Sequence, residues 1–340
     1  MPTAVLAGCG AMSKAWLEAV AKIDQVEIVG LVDVDIERAR GRAEEFSLEG
    51  AVVGAELSSV LAQTKPTMVF DVALPQVRLN LVRTALSHGC HVLTEKPMAA
   101  SLTDAREIIG LSHAAQRLHA VVQNRRYLAN ARRIRRFLDT GALGKPTSIH
   151  CDFFIAPHFG GFREDMDHVL LVDMAIHTFD SARYIINAEA ANVFCKEWEP
   201  PKSWYRHGSS ALAVFGMSNG AIFTYRGSWS AKGFKTSWES TWRIVCERGT
   251  LTWDGYDDVK AEVDSGKRDG LFDVMAPVAV PPLDPRDAVG GHLGIIQDFI
   301  RAIKDGTEPE TKGSDNIKSL AMVFGAVESS ETGRSVKIVV

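Results

Sequence analysis

At 340 residues the chain is long enough for two domains of ordinary size, each with its own hydrophobic core. Hydrophobic residues make up 46% and charged residues 24%, values that exclude a disordered chain, a collagen-like fibre and a small disulfide scaffold. With 38 Lys and Arg against 42 Asp and Glu, the net charge of −4 provides no field to draw the protein to nucleic acid or an anionic membrane, so a small-molecule partner is expected.

The first 122 residues alternate short apolar runs with helical patterns at the spacing of β-α-β units. Strands are expected at Ala4–Ala7, Val26–Val32, Met68–Val72, His91–Thr94 and His119–Val122, with helices between them at Ala11–Ile23, Ile36–Phe46, Leu57–Ala62, Gln76–His88 and Thr103–Ala114. Such alternation implies a parallel sheet covered by helices. From about residue 123 the grammar changes. A helix over Leu170–Ile186 precedes longer alternating strands at Ala211–Phe215, Ala221–Trp229, Ser237–Cys246 and Thr250–Trp253, joined by hairpin turns, which implies a mostly antiparallel sheet. The Pro277–Pro285 run reads as a loop, and two helices near Leu293–Lys304 and Asn316–Ser330 close the chain. The expected division is a domain with a parallel sheet over 1–122, which the glycine turn after its first strand marks as dinucleotide-binding, and a substrate-binding and oligomerisation domain over 123–340.

Gly8-Cys9-Gly10-Ala11-Met12-Ser13 lies between the first strand and the first helix, where backbone amides of a helix N-terminus receive a pyrophosphate. Gly8 permits the turn and Gly10 the close approach; Ser13 replaces the third glycine of G-x-G-x-x-G. Asp33 closes the second strand 20 residues beyond Ser13, where a carboxylate accepts from a ribose hydroxyl and repels a 2′-phosphate, so NAD is expected in preference to NADP. Glu95-Lys96-Pro97 follows the His91–Thr94 strand and puts Lys96 at the carboxyl edge of the sheet, where it can stabilise charge on a reacting oxygen. Asp173 and His177, at i and i+4 of an otherwise apolar helix, form either a general acid/base with its orienting carboxylate or a buried structural pair; a metal site that adds His168 has no further ligand spacing to support it.

Together, Gly8-x-Gly10, Asp33, Glu95-Lys96-Pro97 and Asp173-x-x-x-His177 resemble the Gfo/Idh/MocA oxidoreductases, over essentially the whole chain. The resemblance implies an α/β protein with an N-terminal Rossmann domain and a C-terminal α/β domain carrying a large, mostly antiparallel open sheet. It also implies NAD(P)-dependent redox of sugars, inositols or related polyols, with Lys96, Asp173 and His177 at the catalytic positions. Two alternatives stay open: a non-catalytic dinucleotide- or sugar-binding regulator of this fold, and a reductase of an unsaturated or imine substrate.

Expected cofactor contacts are Gly8, Gly10, Ala11, Met12, Asp33, Leu74, Pro75, Glu95, Lys96 and Asn124, and expected substrate contacts are Lys96, Tyr127, Arg163, His168, Asp173 and His177. Arg163 either binds a substrate carboxylate or pairs with Glu164 or Asp165. Residues 123–340 show no second glycine-rich turn opening a helix, which points away from a nucleotide-linked substrate. Arg132, Arg133, Arg135 and Arg136 read as a solvated helix face. Apolar residues on both faces of the Ala221–Trp229 strand, with Trp238 and Trp242 adding surface, imply a homo-oligomer joined through the outer face of the second sheet. Five scattered cysteines without a C-x-x-C signal neither disulfides nor a metal site, and with no signal peptide or membrane span a cytoplasmic protein is expected.

Overall fold

The computed structural model describes residues 1–340 and divides into two compact units. The first comprises Met1–Asn124 and Val289–Ile317. Its six strands are β1 (Thr3–Ala7), β2 (Glu27–Val32), β3 (Val52–Gly54), β4 (Met68–Asp71), β5 (His91–Thr94) and β6 (His119–Val121). All neighbours are parallel in the order β3-β2-β1-β4-β5-β6, the doubly wound order whose reversal between β1 and β4 opens a crevice at the strands' carboxyl ends. The register brings Ala7 opposite both Val32 and Asp71, so the loops leaving β1, β2 and β4 emerge together.

The helices α1 (Ala11–Val20), α2 (Ile36–Glu45), α3 (Leu57–Thr64), α4 (Pro75–Ser87) and α5 (Leu102–Ala115) supply the crossovers. Ala4, Val5 and Leu6 are fully buried, as parallel strands covered on both faces require. Trp16 of α1 packs its ring 5.3 Å from Phe70 of β4. The division of the chain departs from the expected single boundary, because α8 (Gly291–Asp305) belongs to this first unit. His292 of α8 stands edge-on to Trp16 at 6.1 Å, and Ile295, Ile296 and Phe299 are buried, so the helix completes the first core although it lies far along the chain.

The second unit comprises Arg125–Ala288 and Lys318–Val340. Its sheet has nine strands: β7 (Pro146–Phe154), β8 (Ala190–Trp198), β9 (Ser210–Met217), β10 (Ile222–Ser228), β11 (Thr241–Cys246), β12 (Gly249–Trp253), β13 (Val259–Asp269), β14 (Phe272–Val278) and β15 (Val336–Lys337). Only β7 and β10 pair in parallel, which places β7 at the centre of the sheet. Helices α6 (Ala129–Asp139) and α7 (Ile176–Ile186) pack here, with the residues of α9 (Gly313–Thr332) from Lys318 onward. Phe179 of α7 meets Phe215, Phe223 and Tyr225 of β9 and β10 within 6.0 Å, fixing the inner face.

Trp242 is 2% exposed and stacks 6.5 Å from Phe223, so it belongs to this inner core and adds nothing to the outer face. The outer face keeps Phe194, Leu212 and Ile222 exposed beside Lys196 and the Arg226–Asp152 pair. Pro277, expected in a loop, lies near the end of β14, an edge strand where a missing N–H is tolerated. The arginines of α6 are structural: Arg135 donates to the Tyr184 carbonyl, Arg133 to Pro281 and Arg136 to Asp287, so the helix is clamped by its basic side chains. All five cysteines are buried without disulfide bonds, and no helix is long and apolar enough to cross a membrane.

Candidate functional site

In the first unit, β1 runs into the glycine turn at the point where the strand order reverses. Gly8 has φ +98°, and a Cβ there would stand 2.7 Å from the Ala73 nitrogen and 2.8 Å from the Val72 carbonyl carbon, so only glycine fits. At Gly10 a Cβ would meet nothing within 4 Å, leaving open space above the start of α1. Gly10 is the N-cap of α1 without a side-chain cap, so the exposed first amides, at Ala11 and Met12, keep their hydrogens for a ligand. Ser13, in the third glycine position, is buried and donates its hydroxyl to the Gly10 carbonyl at 2.6 Å.

Asp33 does more than wait for a ribose. Its Oδ2 accepts from Cys9 N at 2.8 Å and its Oδ1 from Asp35 N at 2.9 Å, which ties the glycine turn to the end of β2. Each oxygen retains a lone pair for a hydroxyl donor. Burial first, and then the charge of Asp33, push the Cys9 thiol up to about 12, so it stays protonated. The sequence reading missed Arg42, whose Nη2 donates to the Gly10 carbonyl at 3.1 Å and so brings a cation to the turn from the far end of α2. Leu74, the N-cap of α4 followed by Pro75 at its first position, is 58% exposed, an apolar surface on the loop that packs against Gly8. The Asn124 side-chain oxygen is buried without a hydrogen-bond partner, an acceptor left for a ligand. Together these features suit a dinucleotide.

At the end of β5 the carboxylate of Glu95 is 6% exposed and fully engaged: Oε1 accepts from Trp16 Nε1 at 2.9 Å and from His292 Nε2 at 3.1 Å, and Oε2 from Lys96 N at 3.0 Å. Burial raises this carboxyl, but the hydrogen bond and charge of His292, with Lys96 and Trp16, outweigh it and hold it below the ordinary value. The Glu95 side chain is therefore an internal anchor at the end of β5. Lys96 is half-buried and followed by a cis peptide to Pro97. Arg78, wholly buried on α4, pairs with Asp71 at 3.2 Å and donates to the carbonyls of Ala73 and Pro97. One guanidinium thus fixes both the loop behind Gly8 and the loop of Lys96. The expectation that residues 123–340 lack a second glycine-rich helix start fails at Gly290-Gly291, which opens α8. His292 in the first turn of α8 holds the Glu95 carboxylate, so negative charge is already supplied beside that helix start.

In the second unit the expected Leu170–Ile186 helix begins as a π-helical turn over Leu170–Ala175 before α7. Between Val169 and Asp180 every residue is buried except Val172, Asp173 and His177. Both polar side chains are thus partly accessible, the Asp173 side chain being 13% exposed and the His177 Nδ1 buried. Arg163 pairs with Asp173 itself, Nε to Oδ2 at 2.8 Å, in place of Glu164 or Asp165. Its guanidinium carbon stands 5.1 Å from the Phe159 ring centre and 5.0 Å from that of Phe162, both exposed rings. Beneath His177, Asp180 is fully buried and accepts from Arg126 Nε at 2.7 Å, Arg126 Nη2 at 2.6 Å and Ser319 Oγ at 2.6 Å. That fork sets the position of α7. Tyr127 is 5% exposed with Arg132 over its ring at 4.6 Å, which buries the ring expected to touch substrate.

His168 is engaged by carboxylates: Nδ1 lies 2.5 Å from Glu197 Oε2, and Nε2 lies 3.3 Å from Glu331 Oε1. The Glu197 hydrogen bond outweighs burial, and the His168 pKa is raised. His207, absent from the sequence reading, stands edge-on to His168 with ring centres 4.6 Å apart.

Residues 3–125 match the family model described as "Oxidoreductase family, NAD-binding Rossmann fold", and residues 131–252 match "GFO/IDH/MocA C-terminal domain". The D-apiose dehydrogenase of Paraburkholderia graminis is 27% identical over 98% of this chain and 88% of its own. The myo-inositol 2-dehydrogenase of Thermotoga maritima is 25% identical over 97% of each chain. The crystal structure of an oxidoreductase from Agrobacterium radiobacter with NAD+, L-tartaric acid and magnesium superposes with a TM-score of 0.86 at 23% identity, covering 99% of this chain and 98% of that one, a likeness of fold.

Proposed function

The chain belongs to the Gfo/Idh/MocA family of NAD-binding oxidoreductases, and from that premise we propose that it transfers hydride between nicotinamide and a carbinol carbon of a neutral polyol or cyclic sugar. The observation that carries the substrate class is the Arg163–Asp173 pair bordered by Phe159 and Phe162. Because Asp173 compensates the guanidinium, the pair offers a donor and an acceptor to neighbouring hydroxyls without a net charge calling for an acid, and the rings offer apolar faces to sugar C–H groups. The names of the relatives, an apiose and an inositol dehydrogenase, agree with this class.

In this reading Gly8, Gly10, Ala11, Met12, Asp33, Leu74, Pro75 and Asn124 hold the dinucleotide, whose nicotinamide supplies the hydride acceptor. Lys96 hydrogen-bonds the carbinol oxygen and stabilises the charge that develops there as the C–H bond breaks. His177 exchanges the hydroxyl proton, and Asp173, held by Arg163, orients the substrate. Buried thiols suit a reducing cytoplasm. The test compares kcat/KM for a neutral sugar, its acid and its nucleotide ester, in the parent and in Arg163→Ala. The neutral sugar should be preferred by the parent and should lose most in the variant. A preference for the acid that vanished with Arg163 would move the substrate class to sugar acids, and a strong preference for the nucleotide ester would overturn the reading.

A further inference from the structure

Three segments meet where the second unit begins the helix of Asp173. The loop 203–208 runs beside residues 164–170 and is held by main-chain bonds: Arg206 N to Glu164 O at 2.8 Å, Val169 N to His207 O at 3.3 Å and Leu170 N to Gly208 O at 3.1 Å. The His168 amide donates to His207 Nδ1 at 3.1 Å, and Arg206 pairs with Asp167 at 2.7 Å. The main-chain bonds bring the two histidines side by side, and the His207 ring adds one bond of its own, to the His168 amide. The third segment is the end of β8, which delivers Glu197.

The Glu197 side chain is 4% exposed. One oxygen faces His168; the other, Oε1, is buried with no hydrogen-bond partner. Space for it exists only because residue 208 is glycine, since a Cβ there would lie 2.2 Å from Oε1. A buried carboxylate oxygen left without a donor costs desolvation free energy that a cation would recover. One donor atom from each of His168, Glu197 and His207 lies within 4.8 Å of the others.

We propose that His168, Glu197 and His207 bind a divalent transition-metal ion of the zinc class. Two imidazoles and one carboxylate are a donor set for zinc, nickel or cobalt, whereas magnesium and calcium take oxygen-only shells. Tetrahedral coordination with bonds of about 2.0–2.1 Å separates donors by roughly 3.3 Å. The His168–Glu197 pair, now 2.5 Å apart, opens by less than an ångström, and His207, an exposed side chain, turns inward. The metal takes the place of the hydrogen between His168 and Glu197, which is released to solvent, and water or Glu331 completes the shell. Because the His168 carbonyl accepts from Val172 N at 2.9 Å, the ion clamps the start of the helix that carries Asp173 and His177 to β8 and to the loop 203–208. The site stands on residues outside the proposed hydride chemistry, and its test needs no substrate.

The experiment titrates the chelator-treated, full-length protein with zinc against a competing chromophoric chelator, and with cobalt followed by its visible d–d absorption. The expected result is one zinc per chain, a tetrahedral cobalt spectrum and a melting temperature that rises with zinc concentration. His207→Ala and Glu197→Gln should each weaken zinc at least about tenfold, the scale on which losses around a metal are felt. His168→Asn is the third variant, because His168 sits at φ +52° and Asn tolerates that left-handed backbone. Absence of stoichiometric zinc in the parent, or unchanged zinc affinity in both His207→Ala and Glu197→Gln, would overturn the proposal.

Discussion

Asp180→Asn is the substitution that most sharply probes how α7 is held. Asp180 is fully buried and balances the guanidinium of Arg126, whose side chain is 7% exposed, through two bonds of 2.7 and 2.6 Å, while Ser319 adds a third at 2.6 Å. Asparagine keeps the shape but offers one acceptor, turns an NH2 toward a donor and removes the negative charge that Arg126 and Arg183 share. Breaking a buried pair from one side costs about 3–5 kcal/mol, against roughly 0.5–1.5 kcal/mol for a single neutral hydrogen bond such as that of Ser319. At about 2–4 °C per kcal/mol for a unit of this size, the melting temperature should fall on the order of 6–20 °C. Because His177 lies three residues before Asp180, the variant, assayed well below its melting point, should also lose kcat by up to about 10²-fold, the cost of an ångström of misplacement, with NAD affinity unchanged. The double variant Arg126→Met, Asp180→Leu removes the two charges of the fork and should recover part of the stability, because Arg183, which also donates to Asp180 Oδ1 at 3.4 Å, keeps its pair with Glu189 at 2.7 Å. Calorimetry beside steady-state kinetics reads both effects. A melting temperature unchanged by Asp180→Asn would refute the view that this fork positions the helix.

Three further outcomes follow from named contacts. Glu95 has its carboxyl held below the ordinary value, so its contribution to stability is present above the unfolded glutamate value of about 4.3 and is lost as pH falls through the lower folded value; the difference in melting temperature between parent and Glu95→Gln should shrink on acidification below that range, and a constant difference would contradict it. Asp33→Ser should weaken NAD as well as narrow the preference over NADP, because Asp33 also holds the Cys9 amide, and Asp33→Ser with Arg42→Ala should lose NADP affinity again, both read by titration of the free enzyme. Light scattering at micromolar concentration should show a homo-oligomer that Ile222→Lys with Leu212→Lys disrupts, since both side chains are exposed on the outer sheet face; a monomeric parent would remove the ground for that interface.

The cofactor turn was legible because its signals are local. A strand, two glycines, a helix and an acid at a fixed spacing need nothing from the rest of the chain, and Gly8, Gly10 and Asp33 stand as expected, although the bonds from Asp33 to Cys9 and Asp35 had no sequence mark. The residues that position the site were not legible, because their partners are distant in sequence. Trp16, Arg78 and His292 read as ordinary helix residues until the fold brings them to Glu95, Asp71 and Pro97. For the same reason α8 was counted with the second domain, its neighbour in sequence, although it completes the first core. Six strands are not among those expected: β3 and β15 have three and two residues, β13 and β14 are mostly exposed, and β7 and β8, though nine residues long, bury only Ile149, Cys151 and Phe153, and Val193 and Cys195, so no apolar run marks them. Spacing alone singles out Asp173 and His177, but their partial accessibility and the Arg163 contact required the structure.

The central claim, that Lys96 and His177 perform hydride-transfer chemistry with a bound dinucleotide, is tested most directly by single-turnover absorbance at the reduced-nicotinamide band. The comparison is among the parent, Lys96→Ala and His177→Ala, with NAD affinity measured separately by titration. The account predicts that each variant binds NAD as the parent does yet forms reduced cofactor about 10²–10⁴-fold more slowly with the preferred polyol, as loss of a positioned acid/base group does. Either variant reducing the cofactor at the parent's rate would contradict it.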